Sequence, residues 1–165
     1  MRPLLRDDFD ALYAVASDPL LWEQHPARDR YQAPVFRKLF AESLVSGGAL
    51  VAVDNETGEI IGSSRYHGYN PEAREIEIGW SYLARAYWGG VYNREMKKLM
   101  LDHAFRFVDS VIFVIGVDNL RSQKAIEKFP SVREPELRTN ATGSASCVYR
   151  ITASAWRQFD RPELE

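Results

Sequence analysis

The run Val111-Ile112-Phe113-Val114-Ile115-Gly116-Val117 constrains the fold more than any other stretch of the chain. It is unbroken, apolar, rich in β-branched residues and too short for a typical helix, so it reads as a central strand covered on both faces. Such a strand needs a sheet with helices above and below it. The residues before it supply the rest of a unit. Glu75-Ile76-Glu77-Ile78-Gly79-Trp80 alternates with period two, which places Glu75 and Glu77 on one face and Ile76, Ile78 and Trp80 on the other. Between the two strands, Met96, Met100, Ala104, Phe107 and Val108 fall on one stripe of a long helix over about Tyr92–Asp109. Strand 75–82, helix and strand 111–117 therefore form a right-handed parallel crossover.

The flanking segments extend the same pattern. Phe9, Leu12, Tyr13 and Ala16 mark a first helix that Asp7 or Asp8 can cap and Asp18-Pro19 stops. Leu20–Pro34 reads as a structured loop, and Phe36, Leu39, Phe40, Ser43 and Leu44 mark a second helix ended by Gly47-Gly48. Ala49–Asp54 and Glu59–Tyr69 flank Asn55-Glu56-Thr57-Gly58, the composition of a tight turn in an antiparallel hairpin. A short helix from about Leu120 to Phe129 follows the central strand. The tail ends in a strand near Cys147–Ile151, paired with a weaker one around Glu136–Thr139. The fold class expected is mixed α/β, in one domain spanning residues 1–165.

Charge and cysteine content narrow the function classes. Lys and Arg number 21 against 23 Asp and Glu, a net charge of −2, which gives no basic footprint for nucleic acid. Cys147 is the only cysteine, so neither an internal disulfide nor a cysteine zinc site is expected, and a reducing, cytoplasmic setting fits. No stretch approaches the roughly 18 apolar residues of a membrane span, and Met1–Asp10 carries three Asp before any apolar run. His25, His67 and His103 lack metal-ligand spacing, so no metal is expected.

Three stretches could carry chemistry. Trp88-Gly89-Gly90-Val91-Tyr92-Asn93 joins a strand to the start of the long helix, where free backbone N–H groups and the helix dipole can hold a phosphate or pyrophosphate. The same glycines could simply turn the chain. Asn119 follows the buried strand and could cap the next helix, whose inward stripe would carry Ser122, Ala125, Ile126 and Phe129. The Ser122 hydroxyl either faces the open strand ends or bonds back to its own turn. Glu77 is a mid-strand carboxylate that becomes a candidate base if its face opens into a cleft, and Glu75 shares that face.

In order and spacing, these pieces resemble the GNAT superfamily of N-acetyltransferases over nearly the whole chain, and most of all its Rim-type branch of ribosomal-protein N-terminal acetyltransferases. The carriers are Arg2-Pro3-Leu4, Asp7-Asp8-Phe9, Ile60-Ile61-Gly62, Glu77-Ile78-Gly79-Trp80, Trp88–Asn93, Asp118-Asn119-Leu120-Arg121-Ser122 and Ile126-Glu127-Lys128. The resemblance implies a mixed sheet whose strands 75–82 and 111–117 splay apart. The pantetheine arm of acetyl-CoA would enter between them, with its pyrophosphate at 88–93, served by Trp88, Gly89, Gly90, Val91, Tyr92, Asn93 and Asn119. It also implies Glu77 as base and Ser122 as the acid that protonates the departing thiolate. Val91 and Ala86 depart from the family's small residue and its Arg or Gln at those positions. The family's first strand normally precedes Arg-Pro-Leu, so here it is expected to be very short or to lie outside the chain. The expected activity is acetyl transfer from acetyl-CoA to a primary amine, of a small molecule or a protein N-terminus. The alternative is a degenerate domain that binds acyl-CoA without turnover. A homodimer could form by pairing of the tail strand between copies.

Overall fold

The computed structural model describes residues 1–139 and 143–160. Eight strands form one sheet: β1 (Arg2–Pro3), β2 (Ala49–Val53), β3 (Ile60–Asn70), β4 (Glu75–Leu83), β5 (Ser110–Gly116), β6 (Val132–Arg133), β7 (Arg138–Thr139) and β8 (Ala145–Thr152). Their order is β1-β2-β3-β4-β5-β8-β6, with β7 also on β8. Pairing is antiparallel throughout except between β4 and β5, which run parallel as the crossover requires. The helices are α1 (Phe9–Ala16), α2 (Ala33–Ser46), α3 (Tyr92–Ala104), α4 (Leu120–Ile126) and α5 (Ala153–Phe159).

Two packed layers cover the sheet. On the upper face α1 and α2 bury Leu12, Ala16, Phe36, Leu39 and Phe40 with Val51 and Trp22. On the lower face α3, α4 and α5 bury Met100, Leu101, Ile126 and Trp156 against Ile78, Val111, Phe113 and Ile151. A fully buried Phe36 or Leu101 contributes about 1.5–3 kcal/mol by leaving water. Local chemistry sets the helix ends. Pro34 opens the first turn of α2, and Gly47 at φ 68° closes it in the left-handed region that suits glycine.

The structure departs from the sequence reading at several points. The short edge strand is Arg2–Pro3 itself, paired with Leu50 and Val51. Asp8 does not cap α1 forward; its carboxylate reaches back to the Leu5 amide at 2.8 Å and to the Arg2 guanidinium at 2.7 and 2.8 Å. The long helix stops at Ala104, so Phe107 is exposed and His103 stands between Tyr66 and Phe107 rings at the surface. The tail strand β8 lies inside the sheet, with β5 along one side and the two-residue strands β6 and β7 on the other, so among the described residues part of its second edge is already paired.

Close backbone approach fixes the hairpin beside β4. A Cβ at Gly62 would lie 2.0 Å from the Tyr82 carbonyl oxygen and 3.0 Å from the Leu83 Cα. Backbone cannot yield as a flexible side chain does, so Gly62→Ala should cost about 1–3 kcal/mol. That corresponds to a fall in Tm of roughly 2–10 °C in a domain of this size, measurable by thermal denaturation. An unchanged Tm would show that β3 and β4 separate freely at this point.

Candidate active site

The site begins with a bulge. Register pairs Tyr66 with Ile78 and Arg65 with Gly79, then Ser63 with Tyr82, so one residue of β3, Ser64, faces two of β4. The extra residue is Trp80, at φ 51°. A one-residue insertion reverses the facing of everything after it. Trp80 therefore does not share the lower face with Ile76 and Ile78, as plain alternation predicts. It lies on the upper face, stacked 3.6 Å from the Arg65 guanidinium and edge-on to His67 at 4.9 Å. Tyr82 follows it upward against Trp22 and Phe36.

The bulge coincides with a parting of the sheet. Strands β4 and β5 pair only at Glu75–Ser110, Ile76–Val111 and Glu77–Ile112, although β4 runs on to Leu83 and β5 to Gly116. Beyond Glu77 a wedge opens with unpaired strand backbone on both sides. The two carboxylates that the sequence leaves equivalent are here quite different. Glu75 is bound by Arg150 and by the Ser110 hydroxyl at 2.8 Å, and Arg150 is also held by Glu134 at 2.6 Å. Glu77, at the last rung, has no hydrogen-bond or salt-bridge partner among the described residues. Burial raises its pKa above the usual carboxylate range, against the opposing charges of Arg138 and Arg65. Its Oε1 sits 3.1 Å from where a Cβ at Gly79 would stand, so the missing side chain leaves room for the carboxylate.

At the far end of the wedge lies the turn 88–93. Gly89 has φ 72°, which favours glycine, whereas Gly90 has neither a left-handed φ nor a close neighbour. No side chain caps α3, and its first internal bond runs from the Glu95 amide to the Val91 carbonyl at 2.9 Å. The amides of Tyr92, Asn93 and Arg94 are thus left at the helix end. Val91 is 65% exposed and does not close over them. Trp88 turns inward: its indole N–H donates to the Leu83 carbonyl at 2.9 Å, and the Arg121 guanidinium lies 3.9 Å over its ring. The Tyr92 ring meets Tyr87 edge-on at 4.7 Å.

Asn119 is buried and caps α4, its Oδ1 accepting from the Ser122 amide at 3.2 Å. Gln123 takes the inward position with Ile126, donating to the Gly116 and Val117 carbonyls at 3.1 and 2.9 Å. Ser122 is half-buried, and its hydroxyl bonds to no described residue. It does not bond back to its own turn.

Several groups around the wedge carry no sequence signal. Lys97 is buried on the inner face of α3, 5.4 Å over the Phe113 ring just past the last β4–β5 rung, and burial alone lowers its pKa to about 8. Arg65 is buried beside Trp80. The segment between α1 and α2 leans over the wedge. Pro26 there packs on Gly116, where a Cβ would come within 2.7 Å. His25, held by the Ala27 amide at 2.9 Å, stays neutral because burial, with Arg30 beside it, lowers its pKa to about 3. No group of three or more His, Cys, Asp or Glu that could hold a metal occurs among the described residues. No described helix is long and apolar enough to cross a membrane.

The sequence model of the acetyltransferase (GNAT) domain family matches residues 1–129. No curated protein matches the chain. Among solved structures, a candidate acetyltransferase from T. thermophilus is 27% identical with a TM-score of 0.73, covering 95% of this chain and 87% of that one. A GCN5-related N-acetyltransferase from Brucella melitensis superposes with a TM-score of 0.82 at 18% identity, covering 94% and 76%. Spermidine N-acetyltransferase from Vibrio cholerae, in complex with CoA and spermine, gives 0.69 at 17% identity, covering 94% and 96%. At these last identities the likeness is one of fold.

Proposed function

The chain belongs to the GNAT acetyltransferase family, and we propose that it moves the acetyl group of acetyl-CoA directly onto a primary amine. The observation that carries this reading is the parting of β4 and β5 immediately after Glu77, with an unpartnered carboxylate at the vertex. The wedge offers unpaired strand backbone to an extended amide-bearing arm. The amides opening α3 offer a site for the pyrophosphate, with Gly89, Gly90, Val91 and Asn93 forming its approach. Trp88 and Tyr92 hold that turn from below, and Asn119 holds the start of α4 so that Ser122 stands near the mouth.

The transfer follows from these positions. Glu77 removes a proton from the incoming ammonium, directly or through a water. The free amine attacks the thioester carbon, β4 amides beyond Glu77 polarise the carbonyl oxygen, and the C–S bond breaks. Ser122 supplies a proton to the departing thiolate, directly or through water, and the second proton shed by the acylated nitrogen returns to the serine oxygen by the same route. No metal enters this scheme.

Gly90→Asp tests the phosphate site. Position 90 tolerates a side chain sterically, so the variant should keep its fold by circular dichroism. The added negative charge should weaken CoA binding at least tenfold, about 1.4 kcal/mol, in calorimetry. Unchanged affinity removes the turn 88–93 from the binding site.

Glu77→Gln tests the base. Turnover, followed by thiol release with a panel of amines, should fall roughly 10²-fold. The deficit should narrow as pH rises and the amine deprotonates unaided; a pH-independent deficit assigns Glu77 to positioning instead. The raised pKa carries a second consequence. Folded Glu77 holds its proton more tightly than the unfolded chain does, so it favours folding below the unfolded carboxyl pKa, and that contribution is lost as pH rises through the folded value. Glu77→Gln should therefore raise Tm at pH 7 and lose this advantage in acid.

Ser122→Ala tests the acid. Turnover should fall by about one to two powers of ten, while CoA affinity changes by less than about 1 kcal/mol. Full turnover with a lowered Tm would make Ser122 a helix-start hydroxyl only.

A further inference from the structure

Arg65 is an unusual group to find in the cleft above the wedge. It is only 6% exposed, and its Nε is buried without a hydrogen-bond partner. No carboxylate among the described residues comes within salt-bridge distance of it. Its guanidinium plane rests on Trp80 at 3.6 Å and lines a crevice between α1, α2 and the sheet with Ser43, Ser63 and Tyr82. Burial accordingly lowers its pKa, with Glu42 and Glu77 acting only as more distant opposite charges. Arg30 adds a second positive charge to the same field. A buried guanidinium with an unanswered N–H loses hydration without compensation, and a planar anion that pairs with its fork restores the loss.

The position of Arg65 relative to Glu77 gives the rest of the argument. Arg65 pairs with Gly79 across the β3–β4 ladder and His67 pairs with Glu77, so Arg65 and Glu77 are diagonal neighbours on one face. Diagonal positions stand roughly 7–8 Å apart, within reach of long side chains. Their charges are opposite, yet they do not bond to each other. A molecule bearing an ammonium and a carboxylate a few bonds apart fits between them, its nitrogen toward Glu77 and its carboxylate toward Arg65. A polyamine has no group for Arg65 and brings further positive charge against Arg65 and Arg30. The crevice that Arg65 lines has free room of about 10 Å³, that of one water molecule.

We propose that Arg65 is the anion-binding half of the acceptor site and that the acceptor is a primary amine carrying a carboxylate, of the amino-acid type. This rests on the acetyl-transfer reading and names the substrate class of that same cleft. Trp80 beneath Arg65 provides a reporter independent of turnover. The twenty common amino acids are titrated into the chain, with and without CoA, by tryptophan fluorescence and calorimetry. Their decarboxylated counterparts, such as 3-methylbutylamine for leucine and 2-phenylethylamine for phenylalanine, and spermidine are titrated in parallel. At least one amino acid should bind tenfold or more tightly than its decarboxylated twin. The gap should fall below about threefold in Arg65→Met and be partly restored in Arg65→Lys, with CoA affinity unchanged. The proposal is overturned if no amino acid outbinds its twin, if spermidine binds more tightly than every amino acid, or if the gap survives in Arg65→Met. Should Arg65→Met fail to fold, the wild-type gap and its reduction in Arg65→Lys decide the matter. Absence of thiol release with every amine sinks the transfer reading and leaves this binding gap intact, so the two failures are distinct.

Discussion

Strands β4 and β5 share only three rungs, and the rest of the site depends on where that pairing stops. The closed end is clamped from above: Arg150 on β8 holds Glu75 on β4, the Ser110 hydroxyl on β5 and Glu134 beyond β6 in one network. From below, Val111, Ile151 and Met100 pack the same end shut. Charge-assisted bonds of this kind are strong when partly shielded, so the vertex of the wedge is fixed rather than free to travel. Glu77 stands at that vertex, and its lack of a partner follows directly. Every nearby cation of the clamp is already taken by Glu75 and Glu134, and Arg65 is turned onto Trp80.

Most of the architecture was legible because it depends on local period and composition. Val111–Val117 reads as a two-sided strand, Glu75–Trp80 as a half-buried one, and the helix between them can return only one way. The site was legible only in outline. The alternation that isolates Glu75 and Glu77 cannot separate them, because the difference lies in Arg150, 75 residues away in sequence. Arg65 sits in Ser63-Ser64-Arg65-Tyr66-His67, where period two says which face it takes but not that Trp80 will cover it. Lys97 lies beside Met96 on α3, where a charged residue ordinarily reads as solvated. The helix end at Ala104 and the exposure of Phe107 show the same limit, since an apolar period persists in sequence past the point where the backbone turns.

The likeness to the spermidine-acetylating structure is a likeness of fold at 17% identity, and the acceptor cleft is where such folds are free to differ. In the function proposed for this chain, the cofactor end and the acceptor end are built from separate segments. The turn 88–93 and α4 lie at one, and α1, α2, the loop between them and β3 lie at the other. On that reading, substitutions in the second group would alter which amine enters without disturbing the strands that part.

The extra residue at Trp80 has a consequence for how the chain tolerates change in length. Upstream of it, odd-numbered positions of β4 look toward α1 and α2; downstream, even-numbered ones do. Removing Trp80 would restore even alternation and leave Ser81, Tyr82 and Leu83 on the faces they now hold, with the loss of the ring stacked on Arg65. Removing two adjacent residues would instead turn the Tyr82 phenol into the layer beneath and Leu83 toward the aromatic cluster above. The bulge gives this hairpin one residue of slack in length, and no more.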